Sequence, residues 1–140
     1  MSTEQPLPTE PQPGVPCVQD QLVNYLSEGH VLLNPRTLHT LVQEIDARRD
    51  HGIATYGRAL FPHNGRDALR DAFEEALDLV MYLFQLDLEW NAVEAKQGTY
   101  IYDTFPNPAD SASPWSEVFR NAMQVLTSLV VLEHLRSDKS

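Results

Sequence analysis

The stretch that most constrains the fold of this chain runs from residue 66 to residue 89, RDALRDAFEEALDLVMYLFQLDLE. At about 100° per residue, a helix over this stretch gathers its polar side chains on one narrow stripe. These residues are Asp71, Glu74, Glu75, Asp78, Tyr82, Gln85 and Glu89. Apolar side chains cover the rest of the surface, whereas an ordinary surface helix has a broad polar face. The pattern therefore favours a helix packed among other helices, with its carboxylates facing a shared crevice.

The acidic stripe points to a cation. Its first four carboxylates lie within two helical turns, where they repel one another, and burial would increase that repulsion. A divalent ion relieves the repulsion, and hard oxygen ligands suit Mg²⁺. The alternative interpretation is a solvated acidic surface with no ligand. The pattern alone favours the metal-binding interpretation.

The length of 140 residues predicts one domain. Residues 1–16 carry five prolines and few apolar residues, so we expect a disordered tail there. The remaining chain shows repeated helical spacing of apolar residues. It predicts a single all-α domain over residues 17–136, built as a bundle of four to five helices.

Charge and cysteine content exclude several classes of partner. With 20 acidic and 10 basic residues, the net charge is −10, which argues against nucleic acid and against an anionic membrane surface. A nucleotide is still compatible, because a bound magnesium ion reverses the local charge. Cys17 is the single cysteine, so no internal disulfide forms and a reducing, cytoplasmic location is expected. No apolar run reaches the roughly 18 residues of a membrane span.

Capping residues predict where the first two helices begin and end. A first helix covers residues 17–28 and stops at Gly29. The second begins at Asn34, a good N-cap, followed by Pro35, which suits the first helical position. Gly52 is the expected C-cap of this second helix.

The central helix begins with Asn64 as N-cap and Asp67 three residues later, a pattern similar to a capping box. Residues 90–97 either continue this helix or form its frayed end, and Gly98 then ends it. Residues 99–114 form an aromatic, proline-rich loop in which a short strand is conceivable. The last helix begins at Ser113-Pro114 and has a strong apolar stripe, which indicates core or a dimer interface.

The connection from Gly52 to Gly65 is longer than a usual bundle turn. Its Tyr56 either stacks on a base or plugs the end of the bundle. Arg66, in the first turn of the next helix, either contacts phosphate or pairs with an acid across the bundle. His51 and His63 lie alone near or in this connection, and lone histidines of this kind are more often not metal ligands.

The segment EEALDLVMYL resembles the second metal-binding helix of the MazG-like all-α nucleoside triphosphate pyrophosphohydrolases. The order YG, then NGRDAL, then DAFEEALDL is similar to the compact bacteriophage and actinobacterial type of that family, and the resemblance covers roughly residues 17–95. The family's first metal helix carries E-E-x-x-E, whereas this chain reads Gln43-Glu44-Ile45-Asp46-Ala47. Glu44 or Asp46 would supply one ligand there. Alternatively, Glu44 pairs with Arg48 one turn later.

The resemblance implies hydrolysis of a nucleoside triphosphate between its α and β phosphates by a homodimer or homotetramer. Glu75 and Asp78 match the E-x-x-D pair and would bind Mg²⁺ directly, with Mn²⁺ as a substitute. Glu74 would act as a further ligand or as the water-orienting base, and Glu44 would be the opposing ligand. The candidate substrate-binding residues are Tyr56, Arg66 and Gln85. Because the first motif is degenerate, the rival hypothesis is a catalytically inactive helical module that serves as a nucleotide-binding or protein-interaction adaptor.

Overall fold

The computed structural model describes residues 5–96 and 116–139. These residues form four α-helices and no strand: α1 (Val18–Ser27), α2 (Pro35–Tyr56), α3 (Ala68–Lys96) and α4 (Ser116–Ser137). The predicted all-α class is therefore confirmed. The chain divides into two compact units, unit 1 (Met1–Arg66) and unit 2 (Asp67–Ser140). The expectation of one domain over residues 17–136 stays a prediction.

Helix α1 begins and ends within one residue of the predicted bounds. Cys17 is its N-cap, and the buried Sγ accepts a hydrogen bond from the Asp20 amide at 3.5 Å. Gly29 follows the last turn with φ of 80°, a left-handed conformation that glycine adopts without steric cost. The chain therefore leaves the helix at the expected glycine.

Helix α2 begins as predicted but ends later. Asn34 Oδ1 accepts a hydrogen bond from the Thr37 amide at 2.8 Å, and Pro35 is the first helical residue. The predicted stop at Gly52 is wrong, because the helix continues to Tyr56 and ends at Gly57 with φ of 75°. Gly52 has a different role. A Cβ there would lie 3.3 Å from the Arg58 carbonyl oxygen, so glycine allows the chain after the helix to pass close by.

Arg49 joins the two helices of unit 1. Its guanidinium reaches Asp20 on α1 at 2.7 Å and Asp46 on α2 at 3.0 Å. The hydrogen bond from Arg49 holds the pKa of the Asp20 carboxyl below its usual value. The Val18 amide donates to the Leu60 carbonyl at 2.7 Å, which ties the start of α1 to the chain after α2.

Helix α3 is capped one turn later than predicted. Asp67, not Asn64, is the side chain whose carboxylate accepts from the helix amides, those of Leu69 and Arg70, both at 3.1 Å. Asn64 instead accepts from the Arg66 amide at 3.0 Å and closes the preceding turn. The helix then runs to Lys96, so the continuation past residue 89 is confirmed.

Helices α3 and α4 pack antiparallel in unit 2. Arg136, at the end of α4, pairs with Asp67 at the start of α3, while the rings of Phe84 and Phe119 lie 5.9 Å apart farther along. Among the side chains of the pair that the structure describes, the buried ones are Ala76, Leu83, Asp87, Ala122 and Leu126.

The expectation that α3 is enclosed on nearly all sides is not met within unit 2. Leu79, Met81 and Tyr82 are among its exposed side chains. The physical reason is that one partner helix covers only one face of α3.

The expectation of a disordered tail stays a prediction, and the structure describes residues 5–16 of it. This segment has no regular secondary structure, but it lies against the connection between α2 and α3. The Thr9 amide donates to the Asn64 carbonyl at 2.8 Å, and Arg58 donates to the Pro8 and Thr9 carbonyls. Proline-rich chain leaves its carbonyl oxygens unpaired, so they are available to side-chain donors.

Several predictions lie outside the described residues. They concern the stop at Gly98, the loop over residues 99–114 with its conceivable strand, and the helix start at Ser113-Pro114.

In the part of the chain that the structure describes, no helix combines the length and apolar character needed to cross a membrane.

Candidate functional site

The predicted metal ligands on α3 are accessible. Glu74, Glu75 and Asp78 are all exposed. Glu74 accepts a hydrogen bond from Arg70 Nε at 2.7 Å, an ion pair between residues one turn apart. Within the described residues, no basic side chain pairs with Glu75 or Asp78. Within unit 2, Glu75 and Asp78 therefore face solvent and not the crevice that the sequence pattern favours. They are accessible to a cation.

On α2, the two candidate ligands of the degenerate first motif have different surroundings. Asp46 is engaged by Arg49 at 3.0 Å. Glu44 is exposed, and no ion pair joins it to Arg48 in the residues that the structure describes. Glu44 is therefore the more accessible candidate, and the alternative of a local Glu44–Arg48 pair is not observed.

The complete metal site stays a prediction. Among the described residues, no group of three or more His, Cys, Asp and Glu side chains is arranged to hold a metal ion. The predicted ligand set takes Glu44 from unit 1 and Glu75 and Asp78 from unit 2. Each unit by itself presents fewer than three of these carboxylates.

The predicted substrate-binding residues have different surroundings. Tyr56 is 74% exposed at the end of α2, so it does not plug the interior of unit 1. Arg66 is half-buried, and its Nη1 donates to the Pro6 carbonyl at 3.3 Å. Gln85 is exposed, and its side-chain amide donates to Glu89 at 2.7 Å. Tyr56 and Arg66 line one pocket of unit 1.

This unit 1 pocket has a volume of about 550 Å³. It lies among the second half of α2, the chain from residue 58 to 66, and the N-terminal segment. Arg48, His51, Arg58 and Arg66 line it, and no Asp or Glu of the described chain does. Gln19 is also part of the wall, and its Oε1 is buried with no hydrogen-bond donor among the described residues. The pocket is therefore suited to an anionic, hydrogen-bonding ligand.

Arg58 is a candidate site residue that the sequence interpretation missed. Its guanidinium donates to the Pro8 and Thr9 carbonyls at 3.2 and 2.9 Å and to Glu10 Oε1 at 3.1 Å. The only sequence signal for this role was the position of a basic residue directly after the C-cap glycine of α2. The partners lie almost fifty residues away in the chain, and helical periodicity carries no information about them.

Asp87 was also missed. It is 2% exposed and lies on the face of α3 that carries Ala76 and Leu83. A carboxylate at that position interrupts the apolar spacing of the helix, and this interruption was the available signal.

Comparison of the chain with protein-family models, with curated proteins and with solved structures finds no match.

Proposed function

We propose that this chain is a Mg²⁺-dependent nucleoside triphosphate pyrophosphohydrolase of the MazG-like type. It would release a nucleoside monophosphate and pyrophosphate. The observation that carries the proposal is the pair Glu75 and Asp78, which lie one turn apart on α3, exposed and without a basic partner among the described residues. The resemblance of the surrounding motif to that family supports the same reading.

The roles follow from the demands of the reaction. Glu75, Asp78 and Glu44 would hold the metal ion. When bound, Mg²⁺ or Mn²⁺ neutralises phosphate charge and lowers the pKa of water. Glu74, held by Arg70, would orient the attacking water and accept its proton. The oxygen of that water bonds to the α phosphorus, and the bond from this phosphorus to the α–β bridging oxygen breaks. The bridging oxygen leaves with pyrophosphate.

In this proposal, Arg66 contacts phosphate and Tyr56 contacts the base. Gln85, which follows the metal ligands along α3, also contacts the nucleotide. We also propose a cytoplasmic homodimer or homotetramer. Supporting this, unit 2 exposes many large apolar side chains on both helices, among them Leu79, Met81, Val125, Val131 and Leu132. Exposed apolar surface on this scale is typical of association sites.

The proposal is tested by pyrophosphate release over a panel of canonical and modified nucleoside triphosphates. With Mg²⁺, the wild-type chain should turn over at least one of them. Glu75→Gln, nearly isosteric but one charge poorer, should lower kcat by on the order of 100-fold while circular dichroism is unchanged. Glu117→Gln, an exposed acid on α4, is the charge-matched control and should keep full activity. A fully active Glu75→Gln variant would place the site elsewhere.

The second candidate is a catalytically inactive module that binds a nucleotide or a protein partner. The departures at Gln43 and Ala47 favour it, as does the engagement of Asp46 by Arg49. It predicts that no triphosphate in the panel is hydrolysed with Mg²⁺ or Mn²⁺. Calorimetry on the same samples separates a nucleotide-binding module, which releases heat with a triphosphate, from a protein-interaction adaptor, which does not.

A further inference from the structure

Residues 5–10, which we call the strap, accept hydrogen bonds from two arginines of the unit 1 pocket. Arg58 donates to two strap carbonyls and to the Glu10 carboxylate. Arg66 donates to the Pro6 carbonyl at 3.3 Å. The Thr9 amide, bonded to the Asn64 carbonyl at 2.8 Å, fixes the strap beside them. The strap therefore presents a row of oxygen acceptors to the guanidinium groups.

The same donors are well matched to phosphate. A guanidinium group offers N–H donors in a planar fork that fits two phosphate oxygens at once, and an anionic acceptor adds an ion-pair attraction that a neutral carbonyl oxygen lacks. Most strap acceptors are neutral carbonyl oxygens, and the Glu10 side chain is exposed. A ligand with several phosphate charges would thus make stronger bonds to these arginines than the strap makes.

The charge of the pocket is unusual for this chain. Three of the 10 basic residues line it, whereas none of the 20 acidic residues does so in the described part of the chain. In a protein of net charge −10, random placement would give such a pocket more acids than bases. This surplus of basic side chains, of which Arg58 is paired with Glu10, favours an anionic ligand.

The pocket also lies next to a predicted metal ligand. Arg48 lines the pocket on α2, and Glu44 lies one turn before it on the same helix. Residues four apart share one helix face. A phosphate chain held by the arginines would therefore be close to a carboxylate that is available for a divalent ion.

We propose that the unit 1 pocket binds the phosphate chain of a nucleoside triphosphate, and that the strap occupies its arginines until the nucleotide displaces it. Arg48 and Arg58 thereby join Arg66 as phosphate-binding residues. The identity of the ligand rests on the proposed function, whereas the site itself rests on unit 1 alone.

The site is tested by calorimetric titration of ATP into the full chain in EDTA, where metal-dependent turnover is absent. Arg58→Ala should weaken ATP binding by roughly 10-fold or more, because a charge-assisted contact to phosphate is lost. Arg36→Ala, an exposed arginine at the start of α2 and outside the pocket, should bind ATP like the wild type. Wild-type affinity in Arg58→Ala would overturn the site.

The strap is tested separately. Glu10→Gln removes the strap's one carboxylate, which pairs with Arg58. Because the strap then competes less strongly for Arg58, ATP should bind roughly 3- to 5-fold more tightly. Glu117→Gln, with the same change of charge in unit 2, should leave the affinity unchanged. ATP should also accelerate hydrogen exchange of the Thr9 amide, because its bond to Asn64 opens when the strap leaves. Unchanged exchange at saturating ATP would overturn displacement of the strap.

Failure of this inference and failure of the proposed function give different results. If triphosphates are hydrolysed while Arg58→Ala keeps wild-type affinity in EDTA, the function stands and the pocket assignment is overturned. If no triphosphate is hydrolysed while ATP binding depends on Arg58 and Glu10, the enzyme proposal fails and the pocket assignment is supported.

Discussion

At the scale of single residues, Asp67 shows how one side chain serves two purposes. Its carboxylate caps α3 and also pairs with Arg136 at the end of α4. The hydrogen bond from Arg136 lowers the pKa of Asp67. Sequence alone placed the cap at Asn64, because Asn and Asp are both good N-caps. The turn at Gly65, whose φ is 81°, decides which of these two side chains caps the helix. Helical periodicity in the sequence carries no information about that turn.

Asp67→Asn separates these two functions. Asparagine retains an acceptor for the Leu69 and Arg70 amides but loses the charge that Arg136 engages. The melting temperature at pH 7 should fall by roughly 1–4 °C, since the pair is partly exposed. A carboxylate whose folded pKa is depressed stabilises the fold above its unfolded value of 3.8, and this contribution is lost as the pH falls through the folded pKa.

The melting temperatures of wild type and Asp67→Asn should therefore converge between pH 5 and the lowest pH at which the chain still folds, as followed by circular dichroism. A difference that persists undiminished well below the folded pKa would contradict the assignment of this charge pair.

At the scale of elements, periodicity predicted that the helices exist but not which of their faces are covered. The apolar spacing of α3 and α4 is visible in the sequence, and both helices are present. How many neighbours each helix has depends on the tertiary arrangement. The end of α2 was misplaced for a related reason. Gly52 was interpreted as a cap, whereas the approach of the Arg58 carbonyl explains it and Gly57 ends the helix.

Leu83→Ala tests the packed face of α3. Leu83 is 7% exposed between α3 and α4, so its truncation should cost about 2–5 kcal/mol of unfolding free energy. Leu32→Ala is the control, because Leu32 is 99% exposed in the connection between α1 and α2. Urea unfolding of both variants gives the comparison. Equal losses of stability would mean that this face is not the core of unit 2.

At the scale of the whole molecule, composition and motif order carried most of the functional interpretation. The net charge, the single cysteine and the acidic helix narrowed the classes of expected partner. Glu75 and Asp78 are exposed, and their role as metal ligands stays a prediction. The strap and Arg58 could not be predicted, because their contact joins distant parts of the chain. The metal site stays a prediction, because the sequence names its candidate carboxylates one helix at a time and carries no information about how they come together.

The proposed homo-oligomer is tested by sedimentation at micromolar concentration. The wild-type mass should be that of a dimer or tetramer. Val125→Asp, which places a charge on an exposed apolar position of α4, should lower the mass towards the monomer. Gln124→Asp introduces the same residue at a neighbouring exposed polar position and should leave the mass unchanged. A wild-type monomer would contradict the proposal.

The account depends above all on cation binding by the acids of α3. The most direct measurement is a Mn²⁺ titration followed by electron paramagnetic resonance, in which the signal of free Mn²⁺ reports the unbound ion. The wild-type chain should remove Mn²⁺ from the free pool. The Glu75→Gln/Asp78→Asn double variant should bind it at least about 10-fold more weakly, because loss of outer-shell partners alone already costs that much and these residues would be direct ligands. A wild-type chain that leaves the free Mn²⁺ signal unchanged, or a double variant that binds equally well, would contradict the account.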